Sequence, residues 1–287
     1  MVKEFANAKI NLFLDVTSKR GDGFHNIKSV MQSVSLCDTL FVSATASDKT
    51  EIVISSNLSE LQNDENNLIY RSAKKYLVNF SKNAEVKITL EKNIPIGAGL
   101  GGGSTDAAAT LRAMNKIFGL ASEGELLSLA AEIGSDVPFC LIGGTTLCEG
   151  RGEILTPLDF DKTIYYVIAI GEERVSTPKA YSELDRQNPL GFAPNDEIAH
   201  LLSEIQSGSI TGKHCYNIFE SVTNLVSVSK IKEMLTKNGA ECAMMSGSGP
   251  SVFGIFTNSM DAENARLRLV SEGFQAFTST SQKGEKI

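Results

Sequence analysis

The stretch NIPIGAGLGGGSTDAAATL, residues 93 to 111, limits what this chain can fold into more than any other segment. Five glycines fall within its first eleven positions, and an alanine-rich run follows at once. Glycine lacks a Cβ, so it enters left-handed backbone conformations and lets a ligand approach the main chain closely. Alanine is the strongest helix former. The pattern predicts a bare loop feeding a helix N-terminus, where unpaired N–H groups and the positive end of the helix dipole meet. Such a terminus binds phosphate. A single Gly-Gly pair would read as a tight turn or a close packing contact. Five glycines, with Ser104 and Thr105 at the helix mouth, favour phosphate, since hydroxyls there can cap the helix, donate to phosphate or meet Mg²⁺.

At 287 residues the chain suits one large domain or two modest ones. Its net charge of −7 argues against a nucleic-acid or anionic-membrane surface, which would need clustered Lys and Arg. An anionic small molecule stays possible where a few lysines and amides converge. The segment MVKEFANAKINLF is charged and lacks the apolar core of a signal peptide. The apolar run IYYVIAI is too short to span a bilayer. Five cysteines without a CxxC pairing read as reduced core thiols of a cytoplasmic protein, and three scattered histidines offer no zinc site. No pattern here sets an oligomeric state.

Alternating or β-branched runs predict strands at FANAKINLFLDV, IVIS and AEVKITL, and residues 67–80 read as a helix. After the glycines, Ala107, Leu111, Met114 and Phe118 recur at helical spacing, so one stripe faces a core. Ser122 and Glu125 form an S-x-x-E capping box. Residues 134–150 read as a short helix or turn followed by a strand with a glycine pair. Further on, YYVIAI is a strand, TPKAYSELD begins a helix, and another helix falls near 228–237. MMSGSGPSVFGIF reads as strand, tight glycine turn and strand, before a closing helix and strand. The polar, turn-rich RGEILTPLDFDK sets the expected boundary. The result is an α+β chain in two lobes, residues 1–155 with the glycine loop and residues 156–287.

Gly97 to Gly102 formally matches the dinucleotide pattern GxGxxG, yet no acidic strand end follows to take a ribose. A P-loop needs Gly-Lys-Ser/Thr, whereas Gly212-Lys213 is followed by His214. The lysine strand, HRD and DFG of protein kinases are missing. Two other stretches decide. AKINLFLDVTSKRGDGFHNIKSV opens the chain and SGSGPSVFGIF lies near its end, making a trio with PIGAGLGGGSTDAA. The trio resembles the GHMP kinases, the galactose, homoserine, mevalonate and phosphomevalonate kinase superfamily, over nearly the whole chain. Mevalonate and homoserine kinases typically read GLGSSAA in the middle motif. The wording AKINL, GDGFHNI, GLGGGSTDAAA and GSDVPF is similar instead to the branch whose acceptor carries a cytidine diphosphate group, in non-mevalonate isoprenoid synthesis.

The resemblance implies a ribosomal-S5-like first lobe, a ferredoxin-like second lobe and transfer of the γ-phosphoryl group of ATP to a tertiary hydroxyl. It places the ATP phosphates on Pro95, Ile96, Gly97, Ala98, Gly99, Leu100, Gly101, Gly102, Gly103, Ser104 and Thr105. Asp136 matches the catalytic aspartate. Its ordinary pKa is too low to strip an alcohol early, so it orients the hydroxyl and accepts the proton late. Lys9 matches the catalytic lysine, a fixed charge that keeps Asp136 ionised and offsets charge on the transferring group. Alone, Asp136 would read as a turn cap and Lys9 as a solvated strand edge. Asn11, two residues on and so on the same strand face, is expected at the substrate.

Phe24 and His25 match a cytidine-reading pair, an aromatic for stacking and a histidine for the base edge. Relatives commonly carry tyrosine where Phe24 stands, so the hydroxyl is lost here and the stacking face kept. Tyr181 is a candidate for the opposing aromatic face. Asn67 and Lys92 match positions that meet the adenosine. The SGSGPS run is expected to buttress the glycine loop, with Ser246 or Ser248 near the phosphates. Mg²⁺ follows from the ATP chemistry without nominated protein ligands. Two alternatives stay open: another GHMP small-molecule kinase, or a non-catalytic nucleotide- or metabolite-binding homologue. GDGFHNI weighs against the first, and retention of both Lys9 and Asp136 against the second.

Overall fold

Two long antiparallel strands, β1 (Val2–Lys19) and β2 (His25–Ala46), open the chain and carry the rest of the first lobe. In the computed structural model, residues 1–61, 64–173, 176–189, 191–193, 195–285 and 287 are described. Along one side β2 pairs β1 for nearly its full length. On its other side the first half of β2 pairs β5 (Thr145–Gly150) and the second half pairs β4 (Ala84–Glu91). A parallel strand β3 (Glu51–Ser56) extends β4, and β6 (Ile154–Leu158) extends β5. Helices α1 (Leu68–Asn79), α2 (Gly102–Phe118), α3 (Glu123–Ile133) and α4 (Val137–Ile142) complete this lobe.

The second lobe holds β7 (Tyr165–Ile170), α5 (Thr177–Gln187) and α6 (Glu197–Gln206), then the two-residue β8 (Tyr216–Asn217) and α7 (Val226–Lys237). β9 (Cys242–Met245), β10 (Ser251–Phe256), α8 (Ser259–Ser271) and β11 (Gln275–Thr280) close it. β7, β9, β10 and β11 form an antiparallel sheet in the order β11-β7-β10-β9. β8 crosses back to pair in parallel with β1. The tail returns too, through bridges Val34–Ser281 and Gly143–Gly284. The fold is α+β, as expected.

Alanine explains how α2 sits so close to β1. Ala107, Ala108, Ala109 and Ala113 are all fully buried, and their small side chains let the helix backbone approach the sheet. Gly119, with φ +65°, ends the helix by a left-handed cap whose N–H reaches Asn115 O at 2.7 Å. The Ser122–Glu125 capping box forms as the sequence predicts.

Three elements are not evident from sequence, the two-residue β8 among them. β2 escapes assignment because its two halves meet different partners, so SVMQSVSLCDTLFV shows no single alternation. β6 lies in a segment that reads as polar turn, and the boundary expected at residue 155 falls inside it. It is an edge strand, where Pro157 removes no needed ladder bond.

Asp15 is buried on β1, and burial pushes its pKa up to about 6, with one oxygen accepting the Val16 amide at 2.9 Å. A carboxyl raised above its unfolded value costs stability above the folded pKa and nothing once both states are protonated. Asp15→Asn is therefore expected to raise the melting temperature at pH 8 by a few degrees and to leave it unchanged at pH 3, as read by thermal denaturation.

Candidate active site

The glycine loop leaves β4 and enters α2 through three left-handed residues, Gly97 (φ +71°), Gly99 (φ +80°) and Gly101 (φ +70°). Gly101 stands at the N-cap of α2 without a side-chain cap, so the first N–H groups of that helix are free for a ligand. Contact also requires glycine here. A Cβ on Gly101 would stand 2.9 Å from Lys9 Cγ, and one on Gly99 would stand 2.6 Å from the Ser246 carbonyl oxygen. The Lys9 amide donates to Leu100 O at 3.0 Å, and the Ser251 amide donates to Ala98 O at 3.2 Å. The loop is thus held between β1 and the β9–β10 turn, which buttresses it as the sequence predicts.

Lys9 faces the site because β1 is bulged on both sides of it. Register breaks fall between Asn7 and Lys9 and between Asn11 and Phe13. Between them Ala8, Ile10 and Leu12 pack into the seam against β7 and β10, whereas Ala6, Leu14 and Val16 join the other core. Each bulge switches the side on which alternate residues fall. Lys9 and Asn11 are left on the face opposite the seam. There Lys9 Nζ donates to Asn11 Oδ1 at 2.7 Å and lies 3.5 Å from Asp136 Oδ2. Asn11 Nδ2 in turn donates to Ser29 Oγ at 2.9 Å.

Asp136 occupies the N-cap of α4, yet its side chain caps nothing. Its carboxylate faces Lys9, which is buried while Asp136 keeps a solvent-facing side. A turn cap would have spent the carboxylate on a main-chain N–H. This one is free to meet a substrate. Both groups line a cavity of about 680 Å³ together with Asn11, Gly99, Gly101 and Ser104. Phe24, His25 and Tyr181 line the same cavity. The His25 ring stacks on Tyr181, centroids 4.7 Å apart at 23°, and Phe219 meets Tyr181 edge-on at 4.9 Å. Phe24 is exposed, with the Arg151 guanidinium 5.2 Å from its ring centroid.

The model of the GHMP kinases N terminal domain matches residues 67–144, and that of the GHMP kinases C terminal domain matches residues 227–276. A 4-diphosphocytidyl-2-C-methyl-D-erythritol kinase of Caldicellulosiruptor saccharolyticus is 43% identical over 92% of this chain and 91% of its own. The protein of the same name from Syntrophomonas wolfei is 40% identical over 96% of each chain. The chain belongs to this kinase branch of the GHMP family. A crystal structure of 4-(cytidine 5'-diphospho)-2C-methyl-D-erythritol kinase superposes with a TM-score of 0.83 at 30% identity, covering 99% of this chain and all of that one. The chain is an ATP-dependent small-molecule kinase with the two-lobed fold of its family.

Several residues expected at the kinase's ligands lie away from the cavity. Ala98 and Leu100 are buried in the core seam, and Thr105 is buried with its hydroxyl donating to Asn7 O at 2.8 Å. Of the loop, Pro95 is half-buried, while Ile96, Gly97 and Gly103 are exposed beside Gly102. Lys92 is locked under the loop, its ammonium bonded to Asp38 and, at 2.7 Å, to Asp106 Oδ2. Burial, set against the lysine, leaves the Asp106 pKa raised. Lys92 Nζ sits 3.0 Å from where a Gly102 Cβ would be, so its charge backs the helix terminus. Asn67 caps α1, accepting the Ile69 amide at 2.9 Å.

Sequence reading did not single out Asp185, Thr177 or Arg151, which all line the kinase's cavity. Asp185 follows Tyr181 by one helical turn, so the spacing in TPKAYSELD already placed both on one face of α5. Thr177 meets Ser248 through their hydroxyls at 2.8 Å within the second lobe, a pairing no local pattern could show. Arg151 sits in the polar turn between β5 and β6, where only the fold brings it to Phe24. Among the described residues no helix is long and apolar enough to cross a membrane.

Proposed function

We propose that this kinase phosphorylates the 2-hydroxyl of 4-diphosphocytidyl-2-C-methyl-D-erythritol with ATP, in the cytoplasm, using Lys9 and Asp136. The observation that carries the site assignment is one cavity lined by the Lys9–Asp136 pair, by Gly99 and Gly101 of the glycine loop, and by Phe24, His25 and Tyr181. A substrate bearing a reactive polyol and a nucleobase on a diphosphate tether needs both a reacting pair and an aromatic wall for its base in one cavity.

The transition state of phosphoryl transfer is loose, so positioning and charge stabilisation dominate. The main-chain N–H groups of the loop and of the α2 terminus hold the nucleotide phosphates. Asp136 aims the acceptor hydroxyl and takes its proton late, when the new P–O bond has made that proton acidic. Lys9, held by Asn11, offers its ammonium to the Asp136 carboxylate and faces the charge on the moving group. Among the described residues no three His, Cys, Asp or Glu side chains converge as a metal cage. Ser104 and Asp136, which both line the cavity, would hold a Mg²⁺ carried mainly by phosphate oxygens, as Mg²⁺ in nucleotide sites commonly is. Bound there, it would supply charge neutralisation of the phosphates.

The test is ADP release with Mg-ATP and a panel of acceptors: the cytidylyl methylerythritol, mevalonate, phosphomevalonate and homoserine. Turnover of the cytidylyl acceptor alone is the expected result. Turnover of an acceptor without cytidine would overturn the base-pocket reading.

A further inference from the structure

His25 is held from three directions. Its Nε2 lies 2.7 Å from Asp185 Oδ1, Tyr181 stacks on its face, and Phe192 meets the ring edge-on at 6.2 Å. The other oxygen of Asp185 accepts from Lys19 Nζ at 2.5 Å, a bond that holds the Asp185 carboxyl below its usual range. A carboxylate with no proton of its own can only accept, so Nε2 must be the protonated nitrogen of the ring. In neutral imidazole the second nitrogen, Nδ1, is then an acceptor. Among the described residues no protein hydrogen bond to Nδ1 is formed. The ring lines the cavity with that nitrogen unspent.

We propose that Asp185 is a positioning residue that fixes the Nε2–H tautomer of His25 and thereby makes the pocket select a 4-aminopyrimidine over a 4-oxopyrimidine. This rests on the reading of His25 as the residue that meets the base. Cytosine carries an amino donor at position 4 and uracil a carbonyl acceptor. An imidazole Nδ1 lone pair accepts from the first and repels the second. A carboxylate behind a functional histidine fixes ring orientation and tautomer in just this manner at metal sites. Discrimination then comes from a repulsive pairing with the wrong base as much as from an attractive one with the right base.

The substitution Asp185→Asn separates this role from a structural one. Lys19 holds the carbonyl oxygen of the carboxamide, which turns the amide N–H groups toward His25 and forces the proton onto Nδ1. The pocket's acceptor becomes a donor. In the unaltered enzyme, kcat/KM for the cytidylyl acceptor should exceed that for its uridylyl analogue by about 100-fold, the scale of one well-made base-edge hydrogen bond. In Asp185→Asn that ratio should fall at least tenfold, mainly through KM, with the uridylyl acceptor improved in absolute terms. Equal losses for both acceptors, with the ratio kept, would show a merely structural role and overturn the proposal.

A measurement without any variant guards against misfolding. Nitrogen-15 chemical shifts of the His25 ring in the intact, ligand-free enzyme should show a protonated Nε2 and a bare Nδ1; the reverse tautomer would refute it. Failure of the unaltered enzyme to use the cytidylyl acceptor would instead remove the base-pocket reading itself, and the proposal with it.

Discussion

Asp136→Asn is expected to lower kcat about 1,000-fold while changing the KM for either substrate by less than about threefold. The carboxamide is nearly isosteric with the carboxylate, so α4 and its N-cap geometry should survive. It cannot accept a proton, and it removes the anion 3.5 Å from Lys9. The late proton transfer and the charge balance are both lost, and both act in the transition state. Lys9→Met should cost a comparable factor, since the aspartate would then lack its fixed counter-charge. Because the two groups act as one unit, the double variant should be little worse than either single one. A steady-state kcat within tenfold of the unaltered enzyme would remove Asp136 from the chemistry. Strict additivity in the double variant would show the pair acting separately.

The parts of this site that were legible from sequence share a physical character. The glycine loop announces itself because left-handed backbone and close contact are available to few residues other than glycine. Gly99 and Gly101 need both. The Ser122–Glu125 box and the α2 stripe are local, so spacing alone carries them. Lys9 and Asp136 were another matter. Nothing within either motif says that residues 127 positions apart meet at 3.5 Å, and only the resemblance to known kinases joined them. What sequence could not show is competition for a side chain already placed in the right neighbourhood. Lys92, expected at the adenosine, stands under the glycine loop with Asp38 and Asp106 taking its ammonium. Tyr181 lines the cavity, yet its ring is stacked on His25, and burial pushes its phenol up to about 12. Such outcomes depend on which partner arrives from a distant strand or helix, and the chain order does not record that.

The seam between the lobes also bears on catalysis, because the glycine loop is held from both sides of it. Gly99→Ala is expected to be the most damaging single methyl in the loop. Its φ of +80° alone costs an L-residue about 1–2 kcal/mol. The added Cβ would further sit 2.6 Å from Ser246 O and 3.1 Å from Gly249 O, both main-chain atoms of the β9–β10 turn. Neither can rotate away, so either the loop or the turn must move, for a total loss of about 2–4 kcal/mol in stability. A displacement near 1 Å at groups that position phosphates also costs about 100-fold in kcat/KM for ATP. Gly97→Ala supplies the control. Its φ of +71° is nearly the same, but its Cβ would meet nothing within 4 Å. It should lose only about 1–2 kcal/mol, the strain alone, and keep most of its activity. Denaturant melts and ATP titrations of the two variants separate the cases. If both lose the same amount of stability, backbone strain sets the cost, and docking of the turn onto the loop contributes nothing. If Gly99→Ala is markedly worse in both stability and ATP use, the second lobe is a working part of the phosphate site. That outcome would also explain why a kinase whose Lys9–Asp136 pair, the proposed reacting groups, lies wholly in its first lobe needs the second.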